Sequence, residues 1–148
     1  SQRFIAEVVR PMLKPPAQAL VDQHREQGDR LALVTATNDF VTRPIAHALD
    51  IETLIATELE RDAQGRATGA IAGVPSFREG KITRVENWLA AQGLTLSSFE
   101  RSTFYSDSTN DLPLLERVSH PVATNPGPAL ERLAAQRGWP ILKLFQHD

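Results

Sequence analysis

Two carboxylates four residues apart, Asp107 and Asp111, lie where a short apolar run gives way to a helix. Residues 102–105 before them are β-branched, aromatic or small and predict a strand, and Asn110 or Asp111 followed by Pro113 predicts a helix N-terminus. In α/β proteins ligands bind at the carboxyl ends of strands, and Mg²⁺ takes carboxylate, water and phosphate oxygens. The segment therefore predicts a magnesium site, with plain helix capping as the alternative role of the two aspartates.

Two other places in the chain carry groups that suit a phosphate. Thr35 and Asn38 follow an apolar run at residues 30–34 and precede a helix, so a hydroxyl and free backbone N–H groups could bind an anion there. Lys81 could add a positive charge to the same oxygens. With Mg²⁺, these are the parts of a phosphoryl-transfer site. Taken singly, Thr35 is an ordinary strand-end hydroxyl, Asn38 a helix cap and Lys81 a solvated lysine; their combination and order favour the phosphate site.

Composition restricts the function classes. The 148 residues are 41% hydrophobic and 23% charged, as in one ordinary soluble domain, and the net charge of −2 predicts neither a nucleic-acid nor a membrane partner. There is no cysteine, so disulfides and thiolate sites are excluded and a cytoplasmic location is expected. None of the four histidines forms an H-x-x-x-H pair, which argues against a histidine metal site. A P-loop is excluded because Pro75 and Ile82 stand where that motif needs glycine and Ser/Thr.

Strands alternate with helices along most of the chain. This order predicts an α/β three-layer sandwich with a mainly parallel, Rossmann-like sheet and a small β-hairpin at one edge. Trp88 and Trp139 are expected in or beside the core. The predicted strands are residues 30–34, 52–57, 102–105, 121–124 and 141–145, the hairpin pairs 59–61 with 67–71, and the helices are 4–13, 17–27, 40–49, a segment through Val85 that ends at Gly93, and 128–137.

Three short runs in this order resemble motifs of the haloacid dehalogenase superfamily of phosphohydrolases, in its phosphoserine-phosphatase-like branch. Residues 33–38 look like the second motif, residues 78–81 like the third and residues 105–111 like the fourth. The resemblance covers nearly everything after about Pro11, and it implies a HAD-like sheet. It also implies a Mg²⁺-dependent phosphomonoester hydrolase that acts on a small phosphorylated metabolite through an aspartyl-phosphate.

The resemblance assigns roles to individual residues. Thr35 and Lys81 would bind the phosphate and serve catalysis, and Asp107 would be the Mg²⁺ ligand with Asp111 as its acidic support. The substrate-binding set it implies is Thr35, Ala36, Asn38, Lys81 and Asn110, with Asp107 and Asp111 forming the metal site.

One motif of the family has no counterpart. The family's first motif is D-x-D on a central strand and carries the nucleophile, but no D-x-D precedes Thr35. Residues 1–14 look like the end of a helical cap and residues 15–148 like the core domain without its first strand. We therefore expect a fragment of a longer phosphatase that is inactive alone. The alternative is a non-catalytic phosphate-binding or self-associating module, in which an altered strand, a strand swap or a homodimer fills the gap.

Overall fold

The computed structural model describes residues 3–7 and 15–144, which form a seven-stranded sheet with helices on both sides. No helix within these two ranges is long and apolar enough to cross a membrane. The strands are β1 (Arg3–Glu7), β2 (Arg30–Asn38), β3 (Leu54–Arg61), β4 (Ala67–Ala72), β5 (Arg101–Ser106), β6 (His120–Thr124) and β7 (Ile141–Leu142). The helices are α1 (Pro15–Glu26), α2 (Asp39–Ala48), α3 (Glu79–Ala90), α4 (Leu112–Leu115) and α5 (Pro128–Arg137), with 3₁₀ turns at Leu96–Ser98 and Thr109–Asp111.

The sheet has the order β4-β3-β2-β1-β5-β6-β7. All neighbouring pairs are parallel except β3 and β4, which form an antiparallel hairpin at one edge. The Asp62 carboxylate accepts hydrogen bonds from the N–H groups of Gln64 and Arg66 and closes the hairpin turn. The predicted α/β architecture, with a mainly parallel sheet and an edge hairpin, is confirmed.

The two faces of the sheet pack against different helices. Successive strand residues point to opposite faces, and Ala32 and Val34 on β2 belong to one buried cluster while Leu33 belongs to another. The first and larger cluster contains residues of α3, α4 and α5, and the second contains residues of α1 and α2. The result is a three-layer sandwich. Trp88 and Trp139 are partly buried against the larger cluster, as predicted.

The predicted helix at residues 4–13 is wrong over its first part. Arg3–Glu7 is a strand that pairs in parallel with β2 on one side and with β5 on the other, and residues 8–14 lie outside the described residues. Without it, both neighbouring strands would expose a row of unpaired backbone groups, and this demand outweighs the local helical periodicity. The gap in the sheet is thus filled by a strand of the same chain. The assignment of residues 1–14 to a cap stays a prediction.

Smaller differences concern the ends of elements. β3 runs without a break from Leu54 to Arg61, so the second predicted strand and the first hairpin strand are one element that pairs with β2 and then with β4. Pro44 lies inside α2 without ending it. The last strand is shorter than the predicted 141–145 and ends at Leu142; residue 145 lies outside the described residues.

The loop before α3 is held tightly against the sheet. Ser76 is fully buried, its N–H donates to Thr57 Oγ1 at 3.1 Å, and its hydroxyl donates to the Ile55 carbonyl at 3.2 Å. Gly80 then brings the first turn of α3 so close to the loop that a Cβ atom at this position would lie 2.1 Å from the Pro75 carbonyl oxygen. Only glycine fits there, and this close approach sets where α3 begins.

We expect Gly80→Ala to destabilise the protein by about 1–3 kcal/mol, because the new methyl group overlaps a backbone oxygen that a fixed loop holds in place. Urea unfolding followed by tryptophan fluorescence measures the change. Thr83→Ala, an exposed substitution on the same helix, is the matched control and should stay within about 0.5 kcal/mol of the parent. An equal effect of the two substitutions would contradict the close approach.

Candidate active site

The sheet places the predicted residues Thr35 and Asp107 toward the carboxyl ends of its parallel strands. Leu33 on β2 and Tyr105 on β5 are both in register with Glu7 at the end of β1. Thr35, which lies within β2, and Asp107, which directly follows β5, each come two residues later, so they lie at the same level on either side of β1. With strands about 4.8 Å apart, their backbones are separated by roughly 10 Å, a span that a phosphate and its ligands can bridge.

Lys81 reaches the same edge from α3. Lys81 lies in the first turn of α3 and is only 3% exposed, so its interpretation as a solvated lysine is wrong. Its Nζ forms an ion pair with Asp111 Oδ1, and the Ser106 hydroxyl donates to Asp111 Oδ2 at 2.5 Å. Both oxygens of this buried carboxylate therefore have donors. A buried charge pair of this kind is stable only when its remaining hydrogen-bonding capacity is satisfied in this way.

The Asp111 carboxylate does not cap a helix. The hydroxyl of Ser108 caps the 3₁₀ turn instead by accepting from the Asn110 N–H at 3.1 Å, and Asp111 makes no capping hydrogen bond to α4. Capping as the main role of the aspartates is thus wrong for Asp111. Its carboxylate instead fixes the position of the lysine ammonium.

Thr35 and Asn38 have local partners as well. Thr35 is 6% exposed and its Oγ1 accepts from the Thr37 N–H at 3.1 Å, which leaves its own hydroxyl proton to donate. Asn38 Oδ1 accepts from the Val41 N–H at 3.0 Å and caps α2, so the helix-cap reading of Asn38 is confirmed. Ala36 between them is exposed and leaves the backbone open to a ligand.

The metal prediction can be compared with the donors present. In the described residues there is no group of three or more His, Cys, Asp and Glu side chains that could enclose a metal ion. Asp107 is half-buried at the end of β5, and Asn110 is exposed three residues later. Mg²⁺ commonly uses one or two carboxylates and completes its shell with water and phosphate oxygens. Asp107 fits as such a single carboxylate, whereas both oxygens of Asp111 already accept hydrogen bonds.

Sequence reasoning missed a second, partly buried network behind β5. The His24 Nδ1 lies 2.7 Å from Asp29 Oδ2, and its Nε2 lies 2.6 Å from the Tyr105 hydroxyl. Because a carboxylate only accepts, Nδ1 donates to Asp29, and Nε2 shares a hydrogen bond with the tyrosine hydroxyl. The spacing of His24 in the chain suggested no partner, since Tyr105 is 81 residues away. The network ties α1 to the strand that carries Asp107. Ser106 was missed too, although its place just before Asp107 was a signal.

Known proteins were compared with this fold and site. The family model for haloacid dehalogenase-like hydrolases matches residues 1–116. The chain belongs to this family. A histidinol-phosphatase of Neisseria meningitidis serogroup C (strain 8013) is 46% identical over 141 residues, which are 95% of this chain and 64% of that protein. This haloacid dehalogenase-like chain thus spans less than two thirds of that relative's length.

Solved structures share this fold. A Bordetella pertussis Tohama I protein of unknown function superposes with a TM-score of 0.88 and 54% identity, over 93% of this chain and 61% of the other. A substrate-bound phosphoserine phosphatase superposes with a TM-score of 0.64 and 19% identity, over 85% of this chain and 56% of the other. The second likeness shows a shared haloacid dehalogenase-like fold.

The buried ion pair predicts a specific pattern of stabilities. Lys81→Met leaves the Asp111 carboxylate buried without its counter-charge and should destabilise the protein by about 3–5 kcal/mol, whereas Lys81→Met combined with Asp111→Leu should recover at least about half of that loss. Urea unfolding measures both. Lys143→Met removes an exposed partner of Glu131 and, as the control, should change stability by less than about 1 kcal/mol. A double variant no more stable than the single one would contradict the pairing.

The tyrosine–histidine contact predicts coupled substitutions. Tyr105→Phe should cost about 1–2 kcal/mol, because the partly buried Nε2 of His24 loses its hydrogen-bond partner. The same substitution in a His24→Gln background should cost clearly less, since the contact is already broken. Denaturant unfolding of the parent, the two single variants and the double variant gives the coupling free energy between the two side chains. Additive effects would show that the hydroxyl does not stabilise the fold through His24.

Proposed function

We propose that the haloacid dehalogenase-like protein represented by this chain is a phosphatase that hydrolyses a small phosphomonoester. The observation that carries the proposal is the buried Lys81, which is held by Asp111, together with the same level of Thr35 and Asp107 on either side of β1. A lysine so held keeps a fixed positive charge at a place where ligands of α/β sheets bind. The likeness to a histidinol-phosphatase supports the same class of reaction and makes histidinol phosphate the first substrate to test.

The phosphate would be bound by groups already oriented for it. The Thr35 hydroxyl can donate to a phosphate oxygen, and the exposed Ala36 lies three residues before α2, whose N-terminus favours an anion. Lys81 would neutralise a second oxygen as a point charge. Asn110, exposed beside Asp107, could donate its amide to the phosphate or to the attacking water. Because these groups are fixed before the substrate arrives, they stabilise charge without reorganisation.

Asp107 is the proposed ligand of Mg²⁺, and Asp111 its acidic support. When bound, the metal would neutralise phosphate charge and orient the group for in-line attack. Asp111 would act through Lys81 and Ser106, because both of its oxygens are already hydrogen-bonded to them. Its role is then to position the lysine, and the direct metal contact is assigned to Asp107.

The nucleophile is the missing part. The family mechanism through an aspartyl-phosphate needs an aspartate at the end of the central strand, and β1 contains no aspartate. We therefore propose that the 148-residue chain alone has no turnover and that the full activity needs a D-x-D strand from a longer protein.

The second candidate is a non-catalytic phosphate-binding module. The observation that favours it is that Arg3–Glu7 already occupies the central position of the sheet, in parallel register with both neighbours. Such a sheet is closed without a catalytic strand. The chain would then keep the threonine and lysine that bind phosphate and lack the group that attacks it.

Turnover of p-nitrophenyl phosphate and of histidinol phosphate distinguishes the phosphatase from the non-catalytic module. A form extended at its N-terminus through a D-x-D strand should hydrolyse them with Mg²⁺, and should lose at least about 10²-fold in kcat on Asp107→Ala or with EDTA. The 148-residue chain should be inactive under the same conditions. Glu52→Ala, an exposed carboxylate away from this edge, is the control and should keep the parent rate.

Undiminished activity of the extended form in EDTA would refute the metal assignment. Saturable binding of inorganic phosphate with no hydrolysis by the extended form would favour the non-catalytic module. Turnover by the 148-residue chain itself would show that a group other than a D-x-D aspartate attacks the phosphate.

A further inference from the structure

A groove on the outer side of α2 is lined by side chains other than those proposed to bind phosphate. It has a volume of about 420 Å³ and is lined by successive turns of α2 and by the end of β3. The lining residues are Asp39, Phe40, Arg43, Pro44, His47 and Arg61. A volume of this size suits a small organic molecule. The proposed function uses none of these residues.

The groove contains a buried carboxylate oxygen with no donor. Asp39 is only 9% exposed, and its Oδ2 accepts from Arg61 Nη2 at 3.2 Å. Its Oδ1 is buried and has no hydrogen-bond partner in the described part of the chain. A buried oxygen left unpaired costs about 1–3 kcal/mol. The Asp39 side chain is 12% exposed, and a carboxylate oxygen can accept more than one hydrogen bond, so an N–H donor in the groove can bind Oδ2 beside Arg61.

The groove also contains a guanidinium and an imidazole that have no charged partner among the described residues. Neither Arg43 nor His47 has an ion pair or side-chain hydrogen bond to any residue within 3–7 or 15–144. Arg43 lies one helical turn after Asp39, which places the two Cβ atoms about 6 Å apart on the same face. An unpaired guanidinium in a groove is suited to a carboxylate, which it can bind through two parallel hydrogen bonds.

The remaining wall is apolar. Phe40 is 50% exposed, and the Arg61 guanidinium carbon lies 3.8 Å from the centre of its ring. Pro44 adds a second apolar surface next to it. An exposed phenylalanine covered on one side by a cation offers its other surface to an apolar or aromatic group.

We propose that this groove binds a free α-amino acid with an apolar or aromatic side chain. Its ammonium group would donate to Asp39, its carboxylate would pair with Arg43, and its side chain would pack on Phe40 and Pro44. The short separation of Asp39 and Arg43 matches a ligand that carries both charges on neighbouring atoms. A simple anion such as phosphate would pair with Arg43 but would be repelled by the Asp39 carboxylate in the same groove. The inference rests on the groove alone and not on the proposed phosphatase activity.

Calorimetric titration of the 148-residue chain with L-phenylalanine tests the proposal. Two analogues test the two charged groups of the ligand one at a time: 3-phenylpropionate lacks the ammonium group and 2-phenylethylamine lacks the carboxylate. L-Phenylalanine should bind at one site, and each analogue should bind at least about tenfold more weakly, since each loses one charged hydrogen-bonded contact.

Two variants assign the contacts. Arg43→Gln should weaken L-phenylalanine about tenfold and remove its advantage over 2-phenylethylamine, which has no carboxylate to lose. Asp39→Asn should likewise remove the advantage over 3-phenylpropionate. Arg132→Gln, an exposed arginine on α5, is the matched control and should leave all three affinities unchanged.

Three outcomes would overturn the proposal. One is the absence of saturable binding of both L-phenylalanine and L-leucine up to about 10 mM. Another is equal affinity for the amino acid and its two analogues, and a third is binding that Arg43→Gln leaves unchanged. Because Arg43 is exposed and unpaired within the described ranges, its substitution tests the groove even if Asp39→Asn fails to fold.

Discussion

The parallel pairing of β1 with both of its neighbours is the constraint on which the rest of the molecule depends. β1 is in register with β2 on one side and with β5 on the other, so it satisfies backbone groups that these two strands could not otherwise pair. It also sets the distance between the strand ends that carry Thr35 and Asp107. The strand that brings these two residues to the same level contains no aspartate of its own.

The buried Lys81 depends on this sheet and on the loop before α3. Burying two charges is costly, and a hydrophobic pair of the same size is often at least as stable. The close approach of Gly80 to Pro75 nevertheless fixes the start of α3 so that Lys81 meets Asp111 and Ser106 inside the protein. A charged pair kept at such a cost, at the ligand-binding edge of a sheet, is more readily explained by phosphate binding than by stability.

The two faces of α2 serve different purposes. Its inner face packs Ala46 against the smaller cluster of the core, and its first turn is capped by Asn38 at the phosphate edge. Its outer face leaves Arg43 and one oxygen of Asp39 without partners among the described residues, beside an exposed phenylalanine. The same short helix thus links the end of β2 to a groove of quite different chemistry.

The sequence by itself determined the alternation of strands and helices, the edge hairpin and the candidates for phosphate binding, because these follow from local periodicity, turn residues and short motifs. Tertiary structure alone decided that Arg3–Glu7 is a strand, since only the unpaired groups of β2 and β5 require it. It also decided the contact of His24 with Tyr105 and the burial of Lys81. Such contacts join residues far apart in the chain, and the spacing of residues within a motif does not predict which of them meet in the folded molecule.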